Sequence, residues 1–142
     1  MIRKTCLALA VSALIFAAGY RLGSVREAQA ASNRLFELRT YITHEGKLDA
    51  LQARFRDHTT KLFEKHGMAN IGYWVPTTAP ASSNTLIYIV AHKDADAAKK
   101  SWDAFRADPA WIKARDESEK AGKIVQKLDA VYMTPTDYSK IR

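Results

Sequence analysis

From residue 35 onward the hydrophobic pattern changes period in a fixed order, two, then 3.6, then two, and it does so twice. That order constrains the fold more than any other feature of the chain. Leu35-Phe36-Glu37-Leu38-Arg39-Thr40-Tyr41-Ile42 alternates, with Phe36, Leu38, Thr40 and Ile42 on one side and Leu35, Glu37, Arg39 and Tyr41 on the other, which predicts a strand. After the turn Thr43-His44-Glu45-Gly46, the apolar residues Leu48, Leu51, Phe55, Leu62 and Phe63 recur near the helical period. Gly67 ends that helix, because glycine takes the left-handed conformation past a helix end without steric cost. Residues 68–75 read as a second strand, closed by Pro76 and the turn cluster at 80–84. Residues 85–92 are an almost wholly apolar third strand, which predicts burial on both faces. Ala98, Trp102 and Phe105 then share one stripe of a helix beginning at Asp94 or Asp96. Asp108-Pro109 breaks this helix and restarts it, an acidic N-cap followed by proline at the first helical position. The restarted part carries Trp111 and runs to Gly122, residues 124–134 form the last strand, and 135–142 a tail.

The order is βαββαβ, and each half repeats strand, helix, strand. It predicts a ferredoxin-like α+β domain: a four-stranded antiparallel sheet with helices on one face, the second helix broken at Pro109. On this reading the open face of the sheet carries Glu37, Arg39 and Tyr41 from the first strand and Lys127, Asp129 and Val131 from the last. Such a face is either wetted or packed against a second copy of the chain across a two-fold axis.

The first 30 residues differ in composition from the rest. Residues 1–4 carry two positive charges, residues 5–20 carry none, and Ala28-Gln29-Ala30 has the small-x-small spacing of a signal-peptidase site. Residues 1–30 are therefore expected to be a signal peptide, cleaved after Ala30 to release residues 31–142 as one exported domain, periplasmic or secreted. The alternative is an uncleaved membrane anchor formed by residues 5–20, although these 16 residues fall short of the roughly 20 that span a bilayer core. Membrane contact is expected only through that segment. The net charge of +7 owes much to it, since residues 31–142 hold 18 Lys and Arg against 14 Asp and Glu. These charges are interspersed, as from Lys113 to Lys120, which is the pattern of a solvated helix face and gives no reason to expect a nucleic-acid partner. Cys6 is the only cysteine, so the domain is held by packing and not by disulfides.

Few residues have the spacing that chemistry needs. His58 and His66 are eight apart on the first helix, a rotation of about 80°, where a metal pair would sit three or four apart. His44 and His92 lie at strand ends without paired carboxylates, and no metal site is expected. Trp74, Trp102, Phe105 and Trp111 are either core or the walls of a pocket between helices and sheet. In the pocket reading Arg39, Tyr41, His58 and Tyr73 are its polar groups. Arg39 would hold a carboxylate or enolate, with Tyr41 or His58 as the candidate catalytic proton carrier. The competing expectation for Arg39 is a salt bridge to Glu37 of the partner subunit or to Asp129. No nucleophile elbow, phosphate loop, dinucleotide fingerprint or paired-cysteine site occurs, so hydrolase, kinase and dehydrogenase readings drop away and no cofactor is predicted.

Glu37-Leu38-Arg39-Thr40-Tyr41, Phe55-Arg56-Asp57-His58-Thr59 and His66-Gly67-Met68 resemble the N-terminal half of a NIPSNAP domain. Gly72-Tyr73-Trp74, Leu86-Ile87-Tyr88, the run from Trp102 to Trp111 and Pro135-Thr136-Asp137-Tyr138-Ser139 resemble its remainder, in family order. The resemblance implies a dimeric α/β barrel, in which two ferredoxin-like sheets of a homodimer pack face to face. Its superfamily includes cofactor-independent monooxygenases, small isomerases, haem-degrading enzymes and stress-response proteins, so the fold does not carry one reaction. It also leaves a haem ligand open, with nothing in the sequence to select among four histidines. Three functions follow as expectations: a small-molecule-binding homodimer, a cofactor-independent monooxygenase or isomerase on an aromatic or enolisable substrate, and a protein-interaction module without a ligand pocket.

Overall fold

In the computed structural model, which describes residues 34–142, strand β1 (Leu35–Thr43) has a neighbour on each edge. The chain continues through α1 (Leu48–Arg54), a π-helical turn (Phe55–Thr59), α2 (Thr60–Lys65), β2 (Ala69–Trp74), β3 (Thr85–His92), α3 (Ala95–Ala107), α4 (Pro109–Ser118) and β4 (Val125–Met133). The sheet order is β2-β3-β1-β4, with every adjacent pair antiparallel. This is the expected ferredoxin-like arrangement. The expectations for residues 1–30 lie outside the described residues. Among the described residues no helix is long and apolar enough to cross a membrane.

The second helix breaks where proline requires it. Asp108 adopts an extended backbone (φ −67°, ψ 122°), and its side chain accepts from the Ala110 amide at 2.8 Å, which caps α4 with Pro109 at its first position. The same carboxylate accepts from Lys65 Nζ at 2.6 Å and lies 2.7 Å from His66 Nε2, so the cap also ties the end of α2 to the start of α4. Gly67 follows α2 with φ of 78°, as a helix-terminating glycine should.

The first helix departs from a simple 3.6 period. Its buried positions Leu51, Phe55, Thr59 and Phe63 are four apart, and the π-helical turn makes that spacing compatible with one face. Thr59 Oγ1 donates to the Arg54 carbonyl at 3.1 Å inside the turn.

The faces of β1 are the reverse of the expectation. Glu37, Arg39 and Tyr41 lie opposite Val90, Tyr88 and Leu86 of β3, on the side covered by helices, and Phe36, Leu38, Thr40 and Ile42 lie on the open side. The polar residues go inward because they satisfy one another and α3 there, as described below. The last strand does follow the expectation, with Lys127, Asp129 and Val131 opposite Ile42, Thr40 and Leu38 on the open face. That face is therefore largely apolar: Leu38, Ile42, Ile87, Ile89 and Val131 share it, and Trp74 stands half-exposed at its β2 edge. The tail from Thr134 to Ile141 turns back over one end of it, beside Phe36, Ile71, Ile89 and Met133. The third strand is buried along its whole length towards the helices, where Leu86, Tyr88, Val90 and His92 lie, whereas on the open side Thr85 and Ala91 at its ends are buried and Ile87 and Ile89 between them are half-buried.

Between sheet and helices Phe55, Phe63, Tyr88, Trp102 and Phe105 form a continuous aromatic core, with neighbouring ring centroids 5.0 to 5.8 Å apart. Each such contact contributes about 0.5–1.5 kcal/mol beyond its buried area. The helices do not cover the whole sheet. On β4 the helix-facing residues Ala130 and Tyr132 are exposed, which leaves a cleft beside α3.

Candidate functional site

Alternation along β1 places Glu37, Arg39 and Tyr41 in a row beneath α3, and α3 meets that row with Trp102. Glu37 is 2% exposed and accepts three hydrogen bonds: from Trp102 Nε1 at 2.6 Å, from His92 Nε2 at 3.0 Å and from Arg39 Nη1 at 3.0 Å. A carboxylate only accepts, so the proton in the His92 contact sits on Nε2. The buried Nδ1 of His92 and Nε of Arg39 have no protein partner. Burial pushes the Glu37 carboxyl up, but donation from His92 and Trp102 and the charge of Arg39 outweigh it and hold the group below its ordinary range. The Arg39 guanidinium also stacks on Trp102, 4.1 Å from the ring centroid.

Two phenols continue the row. The Tyr88 hydroxyl donates to Tyr41 at 3.2 Å, and burial raises Tyr88 well above the ordinary tyrosine range. Tyr132, directly opposite Glu37 on β4, is raised by partial burial and by the nearby carboxylate.

The cleft beside this cluster has a volume of about 460 Å³ and is lined by Leu35, Ala95, Lys99, Trp102, Arg106 and Tyr132. Ala95, Lys99, Trp102 and Arg106 are spaced by four, three and four, which puts them on one stripe of α3. That stripe is adjacent to the one carrying Ala98, Ser101 and Phe105 into the core. Asp103 pairs with both Lys99, at 2.8 Å, and Arg106, at 2.6 Å.

The residues expected to form one pocket are divided by the fold. Arg39, Tyr41, Trp102 and Phe105 come together on the helix side of the sheet, but Phe105 is plain core. Arg39 does form a salt bridge with Glu37, though within one chain, and Asp129 pairs instead with Lys127 at 2.7 Å. Tyr73 lies on the helix side, stacked on Tyr88 and bonded to Asn70, and lines a separate 220 Å³ pocket with Gln52, Phe55 and Arg56. Trp111 packs on Phe105, with centroids 4.5 Å apart. His58 is exposed on the π-helical turn and lines a shallow groove towards α4 with Ala53 and Ala114. Trp74 is on the opposite face of the sheet, because it pairs with Ile87 while Tyr73 pairs with Tyr88. Lys99, Arg106 and Tyr132 went unremarked in the sequence. The signal for Lys99 and Arg106 was the helical stripe through Trp102, which is readable only once the neighbouring stripe is known to be core, and that for Tyr132 was its pairing opposite Glu37 on β4.

No histidine lines the cleft. His92 is committed to Glu37, His66 to Asp108, and His58 and His44 are exposed elsewhere, so the side chains present do not supply an axial haem ligand there. Among the described residues no group of three His, Cys, Asp or Glu side chains is placed to hold a metal ion.

A four-stranded antiparallel sheet in the order β2-β3-β1-β4, with helices on one face and an apolar open face, defines a ferredoxin-like α+β domain. The NIPSNAP family model matches residues 36–140, and the chain belongs to that family. A crystal structure of a NIPSNAP family protein of unknown function from Agrobacterium tumefaciens superposes with a TM-score of 0.68 at 20% identity, over 78% of this chain and 96% of that one. A monooxygenase from Streptomyces coelicolor, in complex with the ligand nanaomycin D, gives 0.55 at 14% identity, over 76% and 92%. A cofactor-independent oxygenase from Streptomyces nogalater gives 0.51 at 12% identity, over 74% and 95%. These likenesses show the shared fold. A search of curated proteins finds no match to the chain.

Proposed function

We propose that this protein is an exported homodimer that binds a small molecule in the cleft between α3 and β4. The observation that carries the reading is a rigid wall beside an open space. Trp102 is fixed by Glu37 and backed by Arg39, and it faces a 460 Å³ cleft within the usual range for ligand sites. Dimerisation is supported by the apolar open face of the sheet, which would otherwise leave Leu38, Ile42, Ile87, Ile89, Val131 and Trp74 against water. Export is supported by the signal-like residues 1–30. The candidate ligand residues are thus Trp102 of the original set, with Arg39 behind it as support, joined by Lys99, Arg106 and Tyr132.

Native mass spectrometry of the protein purified gently from its own host is the test. The expected spectrum is a dimer carrying an additional small mass, which Ala95→Trp, by filling the cleft, should remove. A monomer would overturn the assembly, and a retained mass that survives Ala95→Trp would overturn the cleft.

A second reading, a cofactor-independent monooxygenase or isomerase, draws support from the fold shared with the two Streptomyces enzymes. It needs a proton carrier in the cleft. Tyr132 lines it, Tyr41 sits deeper against Phe55 and Tyr88, and His58 is remote, so Tyr132 replaces both as the candidate. Oxygen consumption with an enolisable aromatic substrate, abolished by Tyr132→Phe, is the expected outcome. Consumption unchanged in that variant would remove Tyr132 from the reaction.

A further inference from the structure

The walls of the cleft carry one sign of charge. Of its six lining residues two are cations, Lys99 and Arg106, and none is a carboxylate. Glu37, the nearest buried acid, is 2% exposed and already accepts from Trp102, His92 and Arg39, so its charge is committed inside the domain and not presented to a ligand. Asp103 serves Lys99 and Arg106 together, so Arg106 can turn to a ligand without leaving Asp103 unpaired. The remaining surface is apolar and aromatic: Leu35, Ala95, the Trp102 indole and the Tyr132 ring. Arg106 on α3 and Tyr132 on β4 line the cleft together.

We infer that the ligand of this cleft is an aromatic acid bound as its anion, its ring against Trp102 and Tyr132 and its charge against Arg106 and Lys99. This rests on the cleft reading proposed above and narrows it to a chemical class. Arg106 presents a planar fork that fits a carboxylate with two parallel hydrogen bonds, whereas Lys99 adds a point charge. Both side chains are well exposed, at 62% and 80%, so solvent screening limits their effect to a modest preference. Sequence alone conceals this pair, because Lys99 and Arg106 each read as half of an ordinary surface ion pair with Asp103.

The test is calorimetric titration of the full chain with three probes of equal ring size: 2-naphthoate, 2-naphthalenemethanol and 2-naphthylmethylammonium. Naphthoate should bind about tenfold more tightly than the alcohol, and the ammonium compound most weakly. Arg106→Gln should remove most of the naphthoate preference, and Arg106→Gln with Lys99→Gln all of it, while leaving the alcohol unchanged, and Arg115→Gln on α4 should change neither. The naphthoate preference should shrink as salt is raised. Equal binding of naphthoate and alcohol overturns the anion assignment and leaves the cleft standing. Absence of binding by all three probes, or binding that survives Ala95→Trp, overturns the cleft and this inference with it.

Discussion

Trp102 donates its indole N–H to Glu37 Oε2 across 2.6 Å, which pins α3 to β1 by a charge-assisted hydrogen bond inside the domain. The two side chains belong to different layers and are 6% and 2% exposed, so neither has water to fall back on.

Removing the indole should therefore be costly twice over. Trp102→Ala is expected to destabilise the domain by about 3–5 kcal/mol through lost core volume. Trp102→Phe keeps most of the ring and should cost about 1–3 kcal/mol, through one lost donor to a buried carboxylate. Urea denaturation of both, with Glu37→Gln completing a double-mutant cycle against Trp102→Phe, should return a coupling of about 1–2 kcal/mol. A midpoint for Trp102→Ala near that of the parent would show that Trp102 is not core.

Acid should unfold the domain through Glu37 and Asp108. Burial opposes ionisation of Glu37, but His92, Trp102 and Arg39 together lower it. Lys65, then His66 and the Ala110 amide, hold Asp108 far below the usual carboxylate range. A carboxyl group with a depressed folded-state value contributes stability that is present above its unfolded value and is lost as pH falls through the folded one. Stability should thus be flat from neutral pH down to about 5 and decline from about pH 4 downward. Asp108→Asn should shallow that decline while lowering stability at pH 7. Denaturation midpoints between pH 2 and 7 would show it, and an identical acid limb in the variant would dismiss Asp108 as a contributor.

If the open sheet face is the subunit interface, a charge at its centre should separate the subunits. Val131, 54% exposed in the single chain and opposite Leu38 on the open side, is the position to use. Val131→Lys should convert a dimer to a folded monomer in size-exclusion chromatography with light scattering. Ile112→Lys on α4, an exposed apolar residue away from the sheet, should not. Dimers in both variants would place the interface elsewhere.

Gly72 gives an independent probe of the same face. A Cβ built there would lie 2.5 Å from Trp74 Cη2, so Gly72→Ala must push the indole aside. The ring is half-exposed and free to swing, and the fold should lose no more than about 1 kcal/mol. The Trp74 contribution to near-ultraviolet circular dichroism should nevertheless change, and dimer dissociation should shift to higher protein concentration. Unchanged dissociation would exclude the seated indole from the interface.

The fold was legible because periodicity and punctuation agree throughout: strand alternation, Gly67, the Asp108-Pro109 restart and the strand-helix-strand repeat all point to one topology. The side of β1 that meets the helices was not. Hydrophobicity assigned Phe36 and Leu38 inward, yet Glu37, Arg39 and Tyr41 are the ones that pack beneath α3. Alternation reports two faces but not which is covered, and polar residues that satisfy one another can be the ones turned to the helices. Trp102 was identifiable as a wall or core residue because aromatics in a small domain have few alternatives. His58 was drawn into the pocket by a helical period from which the π-helical turn departs without a mark in composition, whereas Tyr73 and Trp74, consecutive on β2, turn to opposite faces by alternation alone, which was readable.

The π-helical turn at Phe55–Thr59 has a further consequence, concerning chain length. Phe55 and Phe63 are eight residues apart yet share one face, because the wider turn absorbs the rotation that eight α-helical residues would add. Deleting one of the exposed residues Arg56, Asp57 or His58 would leave the two phenylalanines seven apart, the spacing at which an uninterrupted α-helix returns to nearly the same side. The helix therefore has two solutions of different length that serve the same core. At this one place insertion and deletion are local events, absorbed by a change of helical pitch instead of a shift in every residue that follows.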